Sequence, residues 1–159
     1  MRVLGLDPGG KTGWAVYCTR ARAVVQSGVC EGAMLPWGDV VQVDAIAVER
    51  PEAYGAARPQ VVDCAWIAGV LYAQGLAAAP VVVTLYRRQV VKEVGKALGA
   101  TVRGDAEVWR ALCEMHGPDA DKRASKTTAG GPLSGCISHS KAAVAVAWAA
   151  AQTFGWRDE

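Results

Sequence analysis

The sequence predicts an α/β fold in which a mixed five-stranded sheet carries helices on both faces. Three observations lead there. The chain opens on an apolar run, Arg2 to Asp7, that ends on a carboxylate followed at once by Pro8-Gly9-Gly10. Two more short segments rich in Val and aromatic residues follow with few polar residues between them, as in an antiparallel meander. Beyond them, apolar runs of strand length alternate with stretches of helical periodicity.

The first strand is Arg2 to Asp7, stopped by the Pro-Gly turn. Gly13 to Cys18 and Arg22 to Cys30 are the second and third, and one or two helical turns are expected around Trp37 to Gln42. Asp44 to Glu49 is a fourth strand, so two strands end on carboxylates. From Pro59 to about Leu76 the positions Val61, Ala65, Ala68 and Tyr72 recur at helical spacing without an internal proline, which predicts a helix. Pro80 to Leu85 reads as the fifth strand. Arg88 to Leu98, Asp105 to His116 and His139 to Phe154 read as helices, the last of them rich in Ala. Gly117 to Ser138 lacks periodicity and is long enough to be a mobile functional loop.

A chain of 159 residues, 52% hydrophobic and 20% charged, fits one domain over residues 1–159 with a sizeable core. No run of about 18 apolar residues suggests a membrane span, and the apolar part of the N-terminus is too short for a signal peptide. The expectation is a cytoplasmic protein without a membrane partner. Five scattered cysteines without a CxxC pair read as reduced packing residues. A net charge of +2 speaks against a nucleic-acid binder, but affinity for phosphates follows the distribution of charge rather than its sum. Arg87, Arg88, Lys92, Lys96 and Arg103 face the single acid Glu93 in one segment, and Lys122, Arg123, Lys126 and Lys141 occupy another that has no acid. Both are candidate DNA contacts, or solvated helix and loop faces.

Gly5 to Thr12 matches the phosphate-cradling pattern G-x-x-x-x-G-K-[ST], which makes a nucleotide hydrolase a rival reading. A P-loop needs its Lys and Thr to open a helix, whereas Gly13 to Cys18 has strand composition. An actin-like phosphate turn would need a much longer, two-lobed chain. Asp7 and Glu49 offer different chemistry. If their strands pair in parallel, the two carboxylates lie side by side and call for a cation. Oxygen-rich acidic clusters suit Mg²⁺ or Mn²⁺, and two ions roughly 3.5–4 Å apart can clamp a phosphodiester for in-line displacement. Either acid alone also reads as a solvated strand end or a cap acceptor.

The combination of GLDPGGKTGWAV, DAIAVERP, LYRRQVVKEVGKALG and ISHSKAAVAVAWAA, in that order, resembles the RuvC family of Holliday junction resolvases, within the ribonuclease-H-like superfamily. The resemblance covers nearly the whole chain. It implies a ribonuclease-H-like fold and Mg²⁺-dependent nicking of four-way DNA by a homodimer. It makes Asp7 and Glu49 the first two metal-binding acids and maps the last two site residues, three apart on the final helix, to His139 and Ala142. His139 can serve as a ligand or a general acid/base, or is simply an N-terminal helix residue. Ala142 stands where the family has Asp, so the chain is expected to bind branched DNA and cleave it poorly. A non-cleaving branched-DNA-binding protein is the alternative. Tyr54, in the segment after the second acid, is the candidate wedge at the junction centre, or a surface tyrosine. The helix with Trp66 and Tyr72 could supply the dimer interface, although both residues could equally be core. A branch-migration motor is a possible partner that the sequence does not specify.

Overall fold

A computed structural model of the chain describes residues 1–52, 58–125 and 129–156. The strands are β1 (Arg2–Asp7), β2 (Lys11–Cys18), β3 (Ala23–Glu31), β4 (Ala45–Arg50) and β5 (Val81–Tyr86), and the helices α1 (Pro59–Ala78), α2 (Arg87–Leu98), α3 (Gly104–His116) and α4 (His139–Thr153). The strands form one sheet in the order β3-β2-β1-β4-β5. The first three run as an antiparallel meander, while β4 pairs in parallel with both β1 and β5. This is the mixed five-stranded sheet that the sequence predicts.

Alternation along the strands divides the core in two. Leu4, Leu6, Trp14, Val16, Ile46 and Val48 point to one face, where Ala68 and Leu71 of α1 cover them. Val3, Ala15, Tyr17 and Ala47 point to the other, beneath α2, α3 and α4. On that second face α4 lies almost on the backbone of the sheet. A Cβ built on Gly5 would stand 2.0 Å from the carbonyl oxygen of Ala143, and one on Gly13 would stand 2.1 Å from that of His139. The Ala-rich surface of α4, buried from Ala143 to Ala151, makes the same approach possible from the helix side. Gly5 of the apparent P-loop is therefore a contact glycine inside a strand.

The rest of that motif also builds a strand. Lys11 and Thr12 open β2 rather than a helix, and buried Thr12 closes the β1–β2 turn by donating its hydroxyl to the Gly9 carbonyl at 3.2 Å. This arrangement lacks the helix N-terminus that phosphates need, which removes the P-loop reading.

Residues 37–40 form one turn, with the Asp39 and Val40 amides donating to the Pro36 carbonyl, the shorter form of the one or two helical turns expected there. One expectation is corrected. The described part of Gly117 to Ser138 is anchored, because Ala120 and Leu133 are buried and the Val24 amide of β3 donates to Pro132 at 2.7 Å. All five cysteines are free, with Cys136 buried and the others half-buried. By length and composition α1 could cross a membrane, but Ala68, Leu71 and Gly75 seat it on the sheet. Its outer side leaves Val62, Trp66 and Leu76 exposed, so Trp66 is not core, whereas Tyr72 is half-buried against the sheet.

The close seating of α4 has a measurable consequence. Gly5→Ala should lower the free energy of unfolding in urea by about 3 kcal/mol, at the upper end for overpacking. Gly10→Ala, where a Cβ meets nothing within 4 Å, should change it by less than about 0.5 kcal/mol. Equal effects would contradict the contact.

Candidate active site

Asp7 and Glu49 end adjacent parallel strands. The β1–β4 register runs from Val3 opposite Ala45 to Leu6 opposite Val48, and the next residue on each strand is the acid. Both carboxylates share the face of Val3 and Ala47, which α4 covers. Asp7 pairs across β2 with Gly13, and Gly13 is where the first turn of α4 touches the sheet. His139 is thereby delivered to Asp7, with its Nδ1 3.3 Å from Oδ2. Ser138, just before it, holds a positive φ of 44°, a conformation non-glycine residues rarely adopt, while buried Ser140 ties the helix start to Ile137 through its hydroxyl.

A third element reaches the same place. Because α2 starts directly after β5, Arg87 is fixed at the sheet edge beside Glu49, and the Gln89 side chain accepts the Tyr86 amide at 2.7 Å to hold that corner. Arg87 Nη1 lies 3.4 Å from Glu49 Oε2, and its Nη2 donates to Asp105 Oδ1 in the first turn of α3. Asp7, Arg87, Asp105, Trp109, Ser138, His139, Lys141 and Ala142 line one open cleft of about 400 Å³.

Burial dominates the electrostatics. It raises the Asp7 carboxyl above the usual range, opposed by the hydrogen bond and charge of His139 and by Arg87. Glu49 is pushed up to about 7, first by burial, with Arg87 opposing and the negative charges of Asp7 and Asp105 adding to the rise. These are two desolvated carboxylates with incomplete neutralisation. Their oxygens suit a hard divalent cation in donor type. Among the described residues, no three His, Cys, Asp or Glu side chains are already gathered as a metal cluster. Arg87 stands among them as the counter-cation instead.

Ala142 lines the cleft with His139 and presents a methyl group there. Of the basic residues, Arg87 is in the cleft and Lys141 is at its wall, with Nζ 4.9 Å from the Trp109 ring centre. Arg88 pairs with Glu52 at 3.0 Å and stacks on Tyr86, which Arg50 also meets at 5.0 Å. Lys92 and Lys96 are exposed along α2 beside a separate shallow groove. Arg103 and Arg123 are exposed, and Lys122 lies 3.5 Å from Asp119. Tyr54 and Lys126 fall outside the described residues. The sequence reading missed Asp105, whose place in a helix's first turn is the ordinary one for an acid, and Arg50, which follows Glu49 directly. The placement of Arg87 immediately after the fifth strand was the available signal for its pairing with Glu49.

No family model matches the chain, and no curated protein sequence matches it. Glu49 yields a test that needs neither. A carboxyl more readily protonated in the folded than in the unfolded chain stabilises the fold at low pH, and that contribution is lost as pH rises through about 7. In metal-free buffer the urea midpoint should therefore fall between pH 5 and pH 8 in the wild type, and fall less in Glu49→Gln. Identical pH slopes would contradict the buried-acid account.

Solved structures do match. Thermus thermophilus RuvC in complex with a Holliday junction substrate superposes with a TM-score of 0.64 at 19% identity, covering 98% of this chain and 96% of that one. A second structure of T. thermophilus RuvC gives 0.62 at 18% identity, covering 98% and 97%. The resemblance read from the sequence therefore holds at the level of architecture: this chain has the ribonuclease-H-like fold of RuvC.

Proposed function

We propose that this protein is a junction-selective endonuclease that binds four-way or other branched DNA and hydrolyses a phosphodiester with Mg²⁺ or Mn²⁺. The observation that supports it most is the placement of Asp7 and Glu49 at the ends of the adjacent parallel strands β1 and β4, with His139 of α4 3.3 Å from Asp7, in a RuvC-like fold. Asp7 and Glu49 would hold the ions, with His139 as a third donor or as the group that accepts a proton from the attacking water. Two bound ions supply Lewis-acid charge at the phosphate and acidify water. Arg87 and Lys141, at the cleft, would hold a phosphate of the strand being cut. Arg50 and Arg88, both close to the Tyr86 ring, extend positive charge beside the cleft. Lys92, Lys96, Arg103, Lys122, Arg123 and Lys126 would contact the arms, and Tyr54 would wedge the junction centre.

With alanine at 142, the site lacks one charged ligand, so cleavage is slow while binding persists. A non-cleaving junction-binding protein is the second reading, and Ala142 is what favours it. Ala142→Asp should raise Mg²⁺-dependent nicking of a synthetic four-way junction about tenfold or more without tightening DNA binding in EDTA. Equal nicking by both chains would contradict the impaired site, and no nicking by either would favour the second reading.

The occupant of the exposed α1 face is a second copy of this chain, which would set two clefts on one junction. The apolar residues Val62, Trp66 and Leu76 form its centre. Trp66→Asp should convert a dimer to a monomer in sedimentation velocity, and an unchanged sedimentation coefficient would place the interface elsewhere.

A further inference from the structure

Ala142 leaves the cleft short of a carboxylate, yet the same cleft contains one from another element. Asp105 lies in the first turn of α3, where an acid ordinarily complements the helix dipole. Here Glu107 serves that end: its Oε2 accepts the Arg103 amide at 2.6 Å. Asp105 turns to Arg87 instead, and the same guanidinium reaches Glu49 at 3.4 Å. One cation thus joins carboxylates from β4 and α3 at the cleft that Asp7, Arg87, Asp105, His139 and Ala142 line. The negative charge of Asp105 is felt at both Asp7 and Glu49. Its side chain is 79% exposed, so an ion pair with Arg87 adds little to stability, and the side chain is free to turn toward the cleft.

We propose that Asp105 supplies the carboxylate missing at position 142, completing a divalent-cation site with Asp7, Glu49 and His139, while Arg87 holds Glu49 and Asp105 together in the metal-free chain. The inference rests on the nuclease reading above and assigns a ligand that this reading lacks. When a divalent cation binds, Arg87 gives up its place between the two carboxylates and becomes available to a DNA phosphate.

The test is Mn²⁺ binding, followed by the electron paramagnetic resonance signal of the free ion, in the intact chain and in Asp105→Asn, Ala142→Asp and the double variant. Asp105→Asn should weaken Mn²⁺ binding about tenfold or more and leave the thermal midpoint in EDTA unchanged, and adding Ala142→Asp should recover the affinity. Wild-type affinity in Asp105→Asn, with binding lost in Asp7→Asn, would overturn the assignment of Asp105 while leaving the metal site of the nuclease reading intact. Failure of Ala142→Asp to rescue Asp105→Asn, or a lowered midpoint in EDTA, would overturn the substitution of one acid for the other. Mn²⁺ binding absent from the wild type, or unaffected by Asp7→Asn, would overturn the metal site itself and this inference with it.

Discussion

The seating of α4 directly on the backbone of β1 and β2 is the constraint on which the rest depends. Two side-chain-free positions make it possible, Gly5 beneath Ala143 and Gly13 beneath His139. A helix held off by ordinary side chains packs roughly 10 Å from a sheet, and small residues at the contact shorten that distance. Here the shortening brings the first turn of α4 down to the end of β1. Because Gly13 lies opposite Asp7, the contact that admits the helix also sets His139 beside the carboxylate. Core packing and site geometry thus share the same residues.

The second organising feature is charge placed against its preference. Parallel pairing of β1 and β4 sets two acids at neighbouring strand ends, and the cover of α4 removes much of their water. Glu49 responds by holding its proton up to about pH 7, despite Arg87 nearby. Perturbed carboxyls of this kind cluster at functional sites, and this is the physical basis of the cation site we propose. Arg87 offsets part of their charge because α2 follows β5 without a loop. The guanidinium is a placed group at a fixed corner, unlike the long exposed lysines farther along α2.

Much of this was legible in the sequence. The Pro8-Gly9-Gly10 turn after Asp7 and the apolar run from Asp44 that closes on Glu49 gave both the sheet and the pair of acids, because both are local patterns. The final helix was legible from its Ala-rich pattern, and His139 from its place at the start of it. Less visible were features made by contacts between distant segments. Leu133 anchors the long connection, and one apolar residue among glycines carries no periodicity. Gly5 matched a phosphate-binding pattern, although its lack of a side chain serves α4. Asp105 was hidden because a first-turn acid needs no special explanation until Glu107 is seen to occupy the capping role.

We propose that Asp7, Glu49 and His139 hold a divalent cation beneath the start of α4. Anomalous diffraction from a crystal of this chain soaked in Mn²⁺ addresses it most directly. The expected result is a peak coordinated by Asp7, Glu49 and His139, with the guanidinium of Arg87 displaced from Glu49. A cleft without a peak, with those three side chains pointing apart and Arg87 still on Glu49, would contradict it.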